Sequence, residues 1–160
     1  MFRSPLSLDR MYRGLTIFVI VLLAVVFTTT YIAVGTLALP FVALVAVMMV
    51  IAWAMAPREL VVEGDELRVE RRAWRALRVP RSSIESAAEL PGLSSRTLRI
   101  GGVGGFFGSY GLFTNRDLGR FRLYSTRRGH ALIVKRTGAL PIVITPDDVP
   151  GAVDALRGSR

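Results

Sequence analysis

From Gly14 to Pro57 the chain carries no Asp, Glu, Lys, Arg or His, an uncharged run of 44 residues in a protein of 160. A bilayer core of about 30 Å needs roughly 20 helical residues to cross it, so a run of this length is too long for one crossing and fits two. The expected spans are Leu15 to Ala33 and Leu37 to Ala56, with a turn at Val34, Gly35 and Thr36 and with Pro40 in the opening turn of the second. Arginines flank both ends, Arg3, Arg10 and Arg13 before the run and Arg58 directly after it. Positive residues in short flanks stay on the cytoplasmic side, which places both termini inside and makes this a multi-pass protein of the inner (plasma) membrane. Tyr12 and Trp53 then fall near the inner interface and Tyr31 near the outer one. A cleaved signal peptide is the competing reading, because Ala33-Val34-Gly35 loosely resembles a cleavage site, but the run exceeds the usual apolar region of roughly 7 to 15 residues. No ionisable group lies inside either span, which argues against a transporter or channel and for an anchor.

The charge divides unevenly around this run. The net charge of +9 splits into +2 before it (Arg3, Arg10 and Arg13 against Asp9) and therefore +7 after it. The chain is read as a cytoplasmic N-terminal segment (1–14), a transmembrane hairpin (15–56) and one soluble domain (58–160) with a single core. The absence of cysteine removes disulfides, thiolate metal sites and a thiol nucleophile.

After Pro57 the apolar period shortens to two. Leu60 and Val62, then Leu67 and Val69, alternate with polar residues around Gly64-Asp65, the signature of a β-hairpin. Further strands are expected at Ala76 to Val79, Ser83 to Ala88, Arg96 to Ile100, Arg120 to Ser125, Ala131 to Lys135 and Pro141 to Ile144. Thr145-Pro146-Asp147-Asp148 supplies capping oxygens, and Val149, Val153 and Leu156 follow at helical spacing, predicting one closing helix. The fold class is thus a mainly β barrel or sandwich with one C-terminal helix, behind a two-helix membrane hairpin.

Three segments sharpen this pattern: the run from Gly101 to Phe113, rich in glycine and aromatics, then Asn115-Arg116-Asp117-Leu118-Gly119-Arg120-Phe121-Arg122-Leu123-Tyr124, then Thr145 to Asp148. Together they resemble a family of bacterial pleckstrin-homology-like domains, often tethered by two membrane helices. The resemblance covers Arg58 to Arg157, implies a bent barrel plugged by the helix, and brings with it no activity and no catalytic residue. Val149 departs from the pattern by standing between the Asp pair and Pro150, which leaves the first helical position open.

Two features invite a binding reading. Phe106, Phe107, Tyr110 and Phe113 lie in a glycine-rich segment read as a long loop, whose aromatics would either dip into the bilayer interface, grip a partner, or fold back onto the barrel. Its spacing does not match a phosphate loop. Arginines gather around Arg68, Arg71, Arg72, Arg75 and Arg78 and again at Arg116, Arg120, Arg122, Arg127 and Arg128. Alternation puts Arg68 with Arg72 on one strand face and Arg120 with Arg122 on another, where each would meet anionic lipid or simply face solvent beside Glu66 and Glu70. The candidate ligand or partner site is therefore Arg68, Arg72, Phe106, Phe107, Tyr110, Arg120 and Arg122. His130 sits in an expected turn, and Asp147 and Asp148 are accounted for by capping, so neither marks a catalytic or metal site. No enzyme activity, cofactor or metal is expected. Expected partners are membrane lipid, with anionic head groups, or a membrane protein; nucleic acid is not expected, and no oligomeric state is implied. The reading is a membrane-anchored interaction module at the inner leaflet, with a structural subunit of a larger membrane complex as the alternative.

Overall fold

The computed structural model describes residues 1–93 and 96–158. The chain opens with strand β1 (Phe2–Pro5), enters a helical stretch, and returns to a mainly β domain. That domain holds β2 (Pro57–Glu63), β3 (Glu66–Arg71), β4 (Leu77–Pro80), β5 (Ile84–Leu90), β6 (Leu98–Gly104), β7 (Ser109–Asn115), β8 (Gly119–Ser125), β9 (Ala131–Arg136) and β10 (Ala139–Ile144). One sheet runs in the order β1-β2-β3-β4 and the other β5-β9-β10-β8-β7-β6, antiparallel apart from the β8/β10 pair. The expected barrel does not close. Pro80, which lacks a backbone donor, and a 3-10 turn at Arg81–Ser83 carry the chain from β4 to β5 without pairing them, leaving an open sandwich.

Local sequence accounts for most elements. Gly64 takes φ 52° at the first position of the two-residue turn between β2 and β3, a conformation glycine adopts without strain. The closing helix α3 (Val149–Arg157) starts at Val149, with the Asp148 side chain accepting from the Gly151 N–H at 2.9 Å. It buries Val149, Ala152, Val153 and Leu156. These meet Leu60, Val62, Leu67, Val69 and Val79 of the first sheet and Leu132, Val134, Ile142 and Ile144 of the second. The second sheet also buries its other face, where Phe113, Phe121, Leu123, Ile133 and Val143 lie beneath Leu90, Leu93 and Leu118. Burial on both sides explains why β9 and β10 read as continuous apolar runs rather than alternating ones.

The apolar stretch is helical from Arg10 to Met55, one run of 46 residues rather than two helices joined by a loop. It comprises α1 (Arg10–Val34), a 3-10 turn at Gly35–Ala38 and α2 (Leu39–Met55). Gly35, at φ 62°, marks the break, and the chain turns directly into the 3-10 segment that starts there. The rings of Phe27 and Phe41 meet edge to face with centroids 6.3 Å apart, whereas a straight helix would separate these positions by about 21 Å. Phe18, Ile32, Leu37 and Val50 are each more than half exposed, and the run is long and apolar enough to cross a membrane.

The segment before the helices, for which no strand was expected, is built into the domain. β1 pairs with β2 from Phe2 against Val62 to Pro5 against Glu59. Leu6 donates its N–H to Arg58 O (2.8 Å), Asp147 its N–H to Pro5 O (2.9 Å), and Asp9 its N–H to Thr126 O (3.0 Å). Asp147, expected to share the capping of α3, instead accepts from Ser7 N (3.2 Å), Ser7 Oγ (2.5 Å) and Arg127 (2.9 Å). Leu6 lies in the core at 4% exposure, so Leu6→Ala should cost about 2–4 kcal/mol in unfolding of the detergent-solubilised chain. The same change at Leu98, 68% exposed, should stay within about 0.5 kcal/mol; equal, negligible effects at both would show that the segment does not belong to the core.

Candidate functional site

Strand alternation assembles a basic mouth between the sheets. On β3, Leu67 and Val69 point into the core, and the next residue of that parity is Arg71 at the strand end. On β8, Tyr124 reaches the same core and shares its face with Arg122 and Arg120, both exposed. On β9, Val134 is followed on its own face by Arg136. Arg71 Nη2 donates to the Tyr124 hydroxyl at 3.1 Å, its guanidinium 5.6 Å from the ring centre. Arg136 is held by the Leu140 carbonyl through Nε (3.1 Å) and Nη2 (2.6 Å). Arg72, just past β3, lies 5.9 Å from the ring centre of Phe107. Tyr110, register partner of Tyr124, closes the side of the mouth by donating its hydroxyl proton to Ala52 O near the end of α2.

The electrostatics of the mouth are one-sided. Among the described residues, no carboxylate forms an ion pair with Arg71, Arg72, Arg120, Arg122 or Arg136. Burial lowers the pKa of Arg136, the Arg122 charge lowers it further, and Tyr124 acts in the opposite sense. Burial pushes the Tyr110 phenol up to about 12, against the pull of Arg71 and Arg72. The Nε of Arg71 is buried without an acceptor.

The residues singled out from sequence divide into two groups. Arg120, Arg122 and Tyr110 belong to the mouth, with Arg72 at its rim. Arg68 does not. It points from the outer face of the first sheet and is neutralised by Glu63 at 2.5 Å and Glu66 at 4.0 Å; Arg72 does not share its face, because β3 ends at Arg71. The stretch carrying Phe106, Phe107 and Tyr110 is a β-hairpin rather than a long loop, β6 and β7 pairing from Leu98 against Thr114 to Gly104 against Ser109. Its glycines hid this from the residue pattern while making it possible. Gly102 and Gly111 face each other, and a Cβ on Gly111 would collide with Gly101 O and stand 2.7 Å from Gly102 Cα. The tip rests on α1: Phe107 donates its N–H to Thr16 Oγ1 (3.2 Å), the Tyr12 hydroxyl meets Ser109 Oγ (3.1 Å), and Phe106 packs on Phe107 with ring centroids 4.3 Å apart. Arg71, Tyr124 and Arg136 were not singled out as site residues, although extending the core alternation by one step from Val69 and from Val134 reaches both arginines. His130 lies exposed in its turn against Glu89, at 2.5 Å.

Gly111→Ala should destabilise the domain by about 1–3 kcal/mol in denaturant unfolding, because the strands cannot separate without breaking the β6/β7 ladder. A neutral result would mean that the two strands do not approach this closely. For Tyr110, a folded pKa above the unfolded value of 10.0 means that its contribution to stability is complete below pH 10.0 and is lost as pH rises towards about 12. Absorbance titration of the phenolates should therefore show a late step near 12 that disappears in Tyr110→Phe.

The profile of the family described as bacterial PH domain matches residues 58–159, from the residue after Pro57 through α3. No curated protein and no solved structure matches the chain.

Proposed function

The chain belongs to the bacterial PH domain family, and from that premise we propose that it is an interaction module anchored at the inner face of a membrane by two crossings of its helical stretch, with its arginine-lined mouth serving anionic lipid. PH domains are generally interaction modules rather than enzymes. The observation that carries the reading is the pairing of β1 with β2. These strands lie at opposite ends of a helical run that would measure about 69 Å if straight, so their hydrogen bonds hold both ends of the run at one sheet. With 25 residues, α1 is long enough to cross a core of about 30 Å, and α2 with the preceding 3-10 turn provides the return.

Aromatic placement agrees with an interface at this level. Trp53 and Trp74 are 40% and 51% exposed, and Ala73, beside Trp74, donates its N–H to Ala54 O at 3.0 Å. Each exposed arginine near an anionic leaflet gains about 1 kcal/mol, a contribution that salt screens. A protein partner is the second reading, favoured by β6, an edge strand on which Leu98 and Ile100 are 68% and 49% exposed.

Because the chain has no cysteine, single-cysteine variants test the topology directly. Thr36→Cys should react with a membrane-impermeant maleimide in intact cells, and Ser86→Cys only after permeabilisation. Labelling of Ser86→Cys in intact cells would overturn the inner-face assignment. For the lipid surface, full-length chain in anionic nanodiscs should show slower amide exchange over β8 than in neutral ones, an effect lost at high salt. Identical exchange in both would turn the module reading towards the edge strand β6 and a protein.

A further inference from the structure

We infer that the free edge of β5 and the end of α3 form a groove for an extended segment of a water-soluble partner protein, which adds to β5 as a strand and sets an acidic side chain against Arg157. This goes beyond the lipid-facing reading, because the groove is built on a strand edge and not on the arginine mouth.

Sheet order leaves this edge open. β5 pairs with β9 on one side and, among the described residues, with no strand on the other, because Pro80 and the 3-10 turn carry β4 away from it. An unpaired edge offers main-chain donors and acceptors to an incoming strand. A cavity of about 460 Å³ lies along it, lined by Arg81, Ile84, Glu85, Ala87, Leu156 and Arg157. Ile84, Ala87 and Leu156 belong to the main core and give the cavity an apolar floor. Its wall is set in advance: Arg81 Nη2 donates to Ala155 O (3.0 Å) and Leu156 O (2.7 Å), tying the end of α3 to the turn before β5. A preformed groove costs an incoming segment little ordering. The edge also holds a stand-in for the missing strand. Arg157 Nη2 donates to Ala87 O at 3.3 Å, where the N–H of a guest strand would donate. A contact this long gives way to a main-chain bond of ordinary length.

The chemistry of the occupant follows from what the groove presents. Main-chain pairing demands an extended backbone, and the apolar floor suits β-branched side chains on its inward face. Arg157, once displaced from Ala87 O, is a cation with which no carboxylate among the described residues forms an ion pair, so an acidic side chain on the guest complements it. Asp65 and Glu85 line the same cavity and repel further negative charge, which limits the guest to one acid at Arg157 and disfavours a polyanion. The guest comes from the aqueous phase. Asp65 lies just past β2, whose six steps from Pro57 carry the chain about 20 Å from the end of α2.

The test uses the full-length chain in neutral phosphatidylcholine nanodiscs and six-residue peptides of alternating Val and Thr, with one Thr replaced by Glu or by Gln. The Glu peptide should slow amide exchange over residues 84–90 and bind about twofold to fivefold more tightly than the Gln peptide. N-methylation of one alternate set of peptide nitrogens should abolish binding and methylation of the other set should spare it, because only one set faces β5. Arg157→Ala should erase the preference for Glu over Gln yet bind the Gln peptide at least as well as the parent does, since the edge is then unblocked. A variant that had merely lost its fold would lose both peptides. Slowed exchange over β6 in place of β5, equal tolerance of both methylation patterns, or binding of neither peptide would overturn the groove while leaving the lipid-facing mouth standing. Slowed exchange over β5 in discs that hold two chains and no peptide would make a second copy the occupant and overturn the partner assignment.

Discussion

The hydrogen bonds between β1 and β2 are the constraint on which the rest of the molecule depends. They join residues 2–5 to residues 59–62 across the whole apolar stretch, so the two ends of the helical run are held together at one sheet edge. The Ser7, Asp147 and Arg127 network and the burial of Leu6 reinforce the join from the other side. The hairpin tip of β6 and β7 adds contacts to α1 at Tyr12 and Thr16, and Tyr110 contacts α2 at Ala52. Helices and domain are thereby one mechanical unit rather than an anchor trailing a free module. The domain matched by the family profile begins at residue 58, but the folded unit also includes the strand before the helices.

Electrostatics then give the unit its polarity. Where arginine meets glutamate on the outer face of the first sheet, as at Arg68 with Glu63 and Glu66, charge is neutralised locally. Where it lines the mouth, it is not, and the core's own alternation decides which is which. The inward parity of β3 ends on Arg71 and that of β9 on Arg136, so the cationic rim continues the rows of Leu and Val that make the interior. A sheet face that is apolar under α3 and basic at its far end carries its cationic rim without a separate insertion.

Much of this was legible in residue order, and the failures have physical causes. The uncharged run, the Gly64-Asp65 turn, the Asp148 cap and the buried stripe of α3 follow from local chemistry and stand where expected. β1 was missed because four residues carry too little period to be read, and its partner lies more than fifty residues away. β7 was missed because glycine masks strand propensity; only the cross-strand partner reveals that Gly102 and Gly111 permit close approach. The barrel failed to close because Pro80 and the turn after it withhold a pairing that strand counting assumes. Arg68 was placed in the site because alternation was applied to the outward face of β3; the inward parity, which ends on Arg71 in β3 and on Arg136 in β9, was not followed past the core.

The position of β1 ahead of the helices has a consequence for biosynthesis. The first strand leaves the ribosome long before its partner exists, so the first sheet cannot be completed until the apolar stretch has been made and, on the proposed topology, has returned to the starting side. On the proposed topology, a chain whose stretch crossed once would leave Phe2–Pro5 on the wrong side, with Leu60 and Val62 uncovered along an open sheet edge. Strand pairing then works as a proofreading step, in which only a correctly inserted chain can finish its own fold.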